Sequence, residues 1–213
     1  MKPRLLPALA LISAVASIGL WVTREQRTTS DWAAASPTLQ ALLWPAPRPV
    51  ANFELLTHNG AAFRSADLRG HWSLLYFGYL QCPDVCPTTL QSLQGLRKLL
   101  MKTDPDLAAS TQFVFVSVDP GNDTSERIAA YLGFFGDGLL GLSGDPAQLA
   151  QLANPLGVMY AEYIDPQGTR SMDHTTSIII VDPHGRGVAA LPGPHQPASM
   201  LEQFQSVQRF VAD

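Results

Sequence analysis

Cys82 and Cys86 are the only two cysteines of the chain. They stand four residues apart in the run Phe77-Gly78-Tyr79-Leu80-Gln81-Cys82-Pro83-Asp84-Val85-Cys86-Pro87. A thiolate, not a thiol, is both the sulfur nucleophile and the soft metal ligand. Side chains at i and i+4 on one helical turn face the same way, so two sulfurs at this spacing either bond to each other or clamp one ion. Dithiol reductases place two residues between their cysteines. The three here widen the bite, which suits an ion without excluding a disulfide. Packing of two small apolar side chains is a poor account, because a proline follows each cysteine. Soft thiolates select copper(I), zinc or iron–sulfur. Two sulfurs fall short of the four ligands of a structural zinc site, whereas copper(I) accepts two or three donors, the third then being a histidine.

The elements that must position these sulfurs are readable from Ala51 onward. Phe53–Leu56 and Ala62–Phe63 flank Asn59-Gly60, a two-residue hairpin signal. Trp72–Tyr79 is a continuous apolar and aromatic run, which predicts a buried central strand. Leu90, Leu93, Leu96 and Leu100 recur at helical spacing, predicting a helix over Thr88–Lys102. Gln112–Val118 reads as a second buried strand. Asp123 with Glu126 reads as the capping start of a helix through Phe135, and a short strand follows. Asp145-Pro146 opens another helix, to about Asn154. Val158–Ile164 and Ser177–Val181 read as strands, Asp182–Gly185 as a turn, Val188–Leu191 as the partner in a hairpin, and Ala198–Val211 as a closing helix. A βαβ unit followed by a ββα unit is the thioredoxin-like arrangement. The cysteines then sit where the first buried strand meets its helix, and the helix-start N–H groups favour a thiolate there.

Five histidines are available. His58, His71, His184 and His195 fall in turns or between prolines and read as solvated loop residues. His174 follows Asp173 in a loop before the Ser177–Val181 strand, where a thioredoxin-like fold packs the chain over the reactive helix start. It is a candidate third ligand, with an ordinary loop histidine as the alternative. Asp173 is a candidate to orient it, Met172 a weak soft donor, and Met159 a core residue. Asp84 is either a helix-start acid or a group that tunes the sulfurs, and Asp119-Pro120 reads as a strand-ending turn near the site.

The amino-terminal end carries different information. Residues 5–22 are 18 residues without a charge, with Lys2 and Arg4 before them and Arg24 and Arg27 after. A run of this length predicts a single transmembrane helix, with a signal sequence cut near Ala14-Val15-Ala16 as the alternative. Residues 1–23 are thus expected to be an anchor or uncleaved signal, 24–50 a Pro/Ala/Ser-rich linker with Leu39–Trp44 docking back, and 51–213 one domain. Four of the 14 basic residues and one of the 18 acidic residues fall in residues 1–27, so the remainder carries a net charge of −7. That argues against nucleic acid as a partner. The missing Arg- and Ser-rich transit segment points to a bacterial cytoplasmic membrane, with the globular part on the periplasmic side.

Tyr76-Phe77-Gly78-Tyr79, then Cys82-Pro83-Asp84-Val85-Cys86-Pro87, then Ser117-Val118-Asp119-Pro120, then Asp173-His174 before Val181-Asp182-Pro183 together resemble the SCO/SenC family. These are membrane-anchored copper proteins that assist assembly of cytochrome c oxidase. The resemblance runs from about Phe53 to Phe210. It implies an α/β, thioredoxin-like fold with an added N-terminal hairpin. It also implies a copper ion, as Cu(I) or Cu(II), on Cys82, Cys86 and His174. The implied partners are the copper-accepting subunit of the oxidase and another copper chaperone as donor. The alternative is a thiol–disulfide oxidoreductase in which Cys82 and Cys86 reduce the cysteines of that subunit. A peroxidase lacks its Thr-x-x-Cys element before Cys82.

Overall fold

The computed structural model describes residues 32–212. The apolar segment 5–22 lies outside the described residues. Among those described, no helix is long and apolar enough to cross a membrane.

The first regular elements fall within the expected linker. Helix α1 (Pro37–Gln40) starts at Ser36, whose hydroxyl accepts from Leu39 N–H. Strand β1 (Leu43–Pro49) follows and pairs antiparallel with β10 (Arg186–Leu191). Leu42 and Leu43 are buried, so the Leu39–Trp44 stretch does dock. Pro45, Pro47 and Pro49 hid this strand from a sequence reading. An edge strand is where prolines are tolerated, because half of its N–H groups have no partner, and β1 is an edge.

The centre of the molecule is β4 (Trp72–Gly78), in which every residue is buried. It runs parallel to β5 (Thr111–Ser117) and antiparallel to β9 (Ile178–Val181). An apolar run without alternation is what a strand covered on both faces requires. Helix α2 (Val85–Thr103) crosses from β4 to β5 and buries Cys86, Leu90, Leu93, Leu96 and Leu100. The closing helix α6 (Pro197–Ala212) packs against it. A Cβ on Gly95 of α2 would lie 2.7 Å from Pro197 Cγ, which explains the glycine.

The eight-stranded sheet runs β1-β10-β9-β4-β5-β6-β2-β3. Here β6 is Leu139–Ser143, β2 is Glu54–Thr57 and β3 is Ala62–Arg64. The four strands β5-β4-β9-β10 with α2 and α6 form the thioredoxin-like unit, and the β2–β3 hairpin joins it through β6. The hairpin turn is wider than expected. Thr57 N–H donates to Ala61 O, leaving the three-residue loop His58–Gly60, and Gly60 alone takes the positive φ of 85°. Three shorter helices are α3 (Pro105–Ala109), α4 (Ser125–Gly133) and α5 (Pro146–Ala153). Asp145 caps α5 through the Ala147 and Gln148 N–H groups, as its sequence predicts. At α4 the cap is Thr124, not Asp123, because Asp123 turns inward and is fully buried.

One element stands apart from this sheet. Strands β7 (Tyr160–Ile164) and β8 (Arg170–His174) pair only with each other, with Tyr160 opposite His174. The sequence reading placed Asp173-His174 in a loop. A ribbon with neither face fully buried needs no apolar alternation, and Arg-Ser-Met-Asp-His has none.

Candidate metal centre

Cys82 lies in the turn after β4, and Cys86 is the second residue of α2. The helix thus starts three residues before the expected Thr88, and the two cysteines do not share one regular helical turn. They meet differently. Cys86 N–H donates to Cys82 Sγ at 3.4 Å, so the sulfur takes one of the unpaired N–H groups that every helix start presents. Asp84, at the cap position, makes no capping bond through its side chain. Pro87 falls in the first turn, where its missing N–H costs no hydrogen bond.

His174 ends β8 and reaches this pair from the ribbon. Its Nε2 lies 3.6 Å from Cys86 Sγ, and its Nδ1 lies 3.0 Å from Thr175 O. A carbonyl oxygen only accepts, so Nδ1 carries the proton and Nε2 keeps its lone pair for the sulfur side. Tyr76 and Tyr79 hold the imidazole edge-on, with ring centroids at 6.2 and 5.9 Å. The expected orienting group, Asp173, is exposed. The Thr175 carbonyl takes that role, because strand geometry turns residue 173 to the opposite face from residue 174.

The ligand atoms of Cys82, Cys86 and His174 all lie within 4.8 Å of one another. Both cysteines are free thiols. Cys86 is completely buried, and burial pushes its thiol up to about 12, although the Tyr76 hydroxyl donates to Sγ at 3.5 Å. An incoming cation must therefore displace a proton. Two sulfurs and one imidazole are a soft three-donor set. Among the described residues no fourth His, Cys, Asp or Glu joins the cluster, so it fits copper better than tetrahedral structural zinc.

The remaining candidates stay away from the cluster. His71 and His184 are exposed, as expected. His58 is half-buried, and its Nδ1 accepts from Gly141 N–H at 3.0 Å. His195 departs from expectation, since it is buried rather than solvated. Its Nε2 bonds Leu191 O at 3.2 Å and its Nδ1 meets Thr89 Oγ1 at 3.2 Å. The chain between Leu191 and α6 folds back over α2, and Ser92 fastens it by donating to His195 O. Met159 is 77% exposed rather than core, because it stands at the root of the ribbon. The Met172 sulfur accepts from Arg170 Nη2 at 3.7 Å.

The sequence model of the SCO1/SenC family matches residues 45–209. The chain belongs to the SCO1/SenC family. The mitochondrial SCO2 homolog of Homo sapiens is 40% identical over 136 residues, 63% of this chain and 50% of that protein. This chain therefore spans about half the length of its human relative. An SCO2-like protein of Rickettsia conorii is 31% identical over 153 residues, 71% of this chain and 73% of that one. The structure of Bradyrhizobium japonicum ScoI with copper bound superposes with a TM-score of 0.65 at 33% identity, covering 76% of this chain and 99% of that one.

In this SCO1/SenC chain the sequence reading missed the groups that hold the ligands: Tyr76 and Gly78 against the Cys86 sulfur, and the Thr175 carbonyl on His174. Gly78 is the most exacting of them. A Cβ there would lie 2.9 Å from Cys86 Sγ, 3.0 Å from Phe115 Cε2 and 3.3 Å from Tyr76 Cε1. Gly78→Ala is expected to lower stability by roughly 1–3 kcal/mol, the usual cost of overpacking a core, and to displace the Cys86 sulfur. Denaturant titration reads the first effect and metal affinity the second. A variant with unchanged midpoint and affinity contradicts the steric argument.

Proposed function

We propose that this chain binds one copper ion, as Cu(I) or Cu(II), through Cys82 Sγ, Cys86 Sγ and His174 Nε2. It then passes the ion to the copper-accepting subunit of cytochrome c oxidase. The observation that carries the reading is the convergence of three soft donors, with the His174 proton parked on Nδ1 by Thr175 O. The copper-loaded ScoI relative supports it. The oxidase as recipient, and another copper chaperone as donor, follow from family resemblance. Thiolate-to-thiolate exchange lets the ion move without being free in solution. The apolar segment 5–22 supports a tether to the bacterial cytoplasmic membrane with the domain on its outer side.

Titration of the reduced protein with Cu(I) and with Cu(II), followed by absorbance in the thiolate-to-copper region, tests the proposal. Saturation at one ion per chain is expected. Absence of a saturable site overturns it.

The free, adjacent sulfurs also favour a second reading, a thiol–disulfide oxidoreductase. Cys86 is fully enclosed and Cys82 is the less buried of the two, so Cys82 would attack a partner disulfide and Cys86 would resolve the mixed disulfide. That activity has no use for His174.

A further inference from the structure

The metal centre is assembled from two parts that no sheet hydrogen bond joins. The cysteines belong to the main fold, whereas His174 belongs to the β7–β8 ribbon, which pairs with neither edge of the eight-stranded sheet. His174 stands four residues before Ile178 of β9, and Tyr160 and Met172 of the ribbon pack on the core, but no sheet hydrogen bond fixes how the far end of the ribbon leans over the sulfurs.

The loop between β5 and α4 carries two acids whose carboxylates point in these two directions. Asp123 is fully buried. Its Oδ2 accepts from Leu80 N–H at 3.1 Å and from Ser117 Oγ at 2.7 Å, which ties the loop to the backbone two residues before Cys82. Asp119 is turned the other way. Its oxygens accept from Arg170 Nη1 at 2.6 Å and Nη2 at 2.9 Å, and Asn122 Nδ2 steadies the same carboxylate at 3.0 and 3.1 Å. Arg170 is the first residue of β8 and His174 its last. Arg170 Nε also bonds Glu162 across the ribbon. Among the described residues the Arg170–Asp119 pair is the one salt bridge between ribbon and main fold. Its geometry is a bidentate fork, which fixes direction as well as distance. The Asp119 side chain is only 4% exposed while that of Arg170 is 33% exposed, so the pair is partly screened by water, and the guanidinium holds the Asp119 carboxyl below the ordinary carboxylate range.

We propose that Asp119 and Arg170 are positioning residues for the metal centre: the fork docks the ribbon on the same loop that anchors the cysteine turn, and so sets His174 against Cys82 and Cys86. This rests on the copper reading above and adds to it the device that aligns the third donor. Arg170 touches no ligand atom and acts through His174 alone.

Two variants of the full chain test it, Arg170→Ala and Asp119→Asn. The second keeps the side-chain shape, so folding is retained if the first proves unstable. The first readout needs no metal. The His174 ring proton resonances, shifted in the wild type by the edges of Tyr76 and Tyr79, are expected to move toward values of a free histidine in both variants. Amide exchange across β7–β8 is expected to quicken, while exchange around Leu80–Cys86 stays slow. The second readout is the affinity for Cu(II) added as a simple salt. It is expected to fall by roughly 10–100-fold, the range for losing a group that orients a ligand, with Cu(I) affinity and the count of two reactive thiols unchanged. Adding His174→Ala to Arg170→Ala is expected to cost no more than His174→Ala alone, because both act on one donor. Unmoved His174 resonances, or losses that add in the double variant, overturn the proposal. A wild type that binds no copper, with resonances that still move in both variants, refutes the copper reading and leaves the positioning role standing.

Discussion

Replacing His174 by alanine is expected to abolish specific Cu(II) binding and to leave Cu(I) binding largely in place. The asymmetry follows from the donors. Two thiolates satisfy Cu(I), which accepts low coordination and soft ligands, whereas Cu(II) needs the harder imidazole nitrogen as well. His174 is also built as a ligand rather than as a packing group. Its Nδ1 proton is committed to Thr175 O and its Nε2 faces Cys86 Sγ at 3.6 Å. Loss of an orienting partner alone costs roughly 10–100-fold in metal affinity, and loss of the donor itself is expected to exceed that range. Stability should change little, since the ring is only partly buried and sits at the end of a surface ribbon. The measurement is a pair of titrations on the reduced variant, one with each oxidation state, alongside a thiol count that should remain at two. Equal Cu(II) affinity in variant and wild type would sink the three-donor model. Retained thiol–disulfide exchange with no copper affinity in the wild type would favour the oxidoreductase.

How much of this was legible in the sequence depends on where each residue draws its meaning. Continuous apolar runs identified β4 and β5 because a strand buried on both faces has no polar alternation to show. Asp145-Pro146 marked α5 because capping is a local interaction. Residue type and the order of strands made His174 a candidate beside an ordinary loop histidine, and only the resemblance to the SCO/SenC family joined it to Cys82 and Cys86 as one set. Failures occurred where the decisive partner is remote. Strand β1 was hidden by prolines whose tolerance depends on its edge position. The expected two-residue turn at Asn59-Gly60 widened to three because only Gly60 takes positive φ. His195 looked like a solvated loop residue because its burial comes from α2 and from Leu191 O. Asp123 resembled a helix cap, but its partners are Ser117 and the backbone of Leu80. Asp173 lost the role of orienting His174 to a backbone carbonyl, which no side-chain pattern can announce.

Copper affinity is expected to rise by at least tenfold for each unit of pH between about 6 and 8, with protons released as the ion binds. Cys86 sets this slope. Its sulfur is fully enclosed by β4 and α2, and an enclosed thiolate has lost its water. The Tyr76 hydroxyl returns part of that stabilisation by donating to Sγ, yet burial prevails and the thiol sits at about 12. Throughout the physiological range the metal-free site therefore holds a protonated Cys86. Copper binds the thiolate, so each binding event expels at least this proton, and mass action then favours binding tenfold per pH unit. Because the range lies wholly below the Cys86 value, this contribution does not level off near neutrality. The same burial that makes Cys86 a poor free nucleophile thus makes it a ligand whose hold on copper weakens as pH falls. Calorimetry in buffers of different ionisation enthalpy counts the released protons directly, and competition with a chelator at several pH values gives the slope. A flat affinity profile, or binding without proton release, would show that Cys86 is already a thiolate before copper arrives.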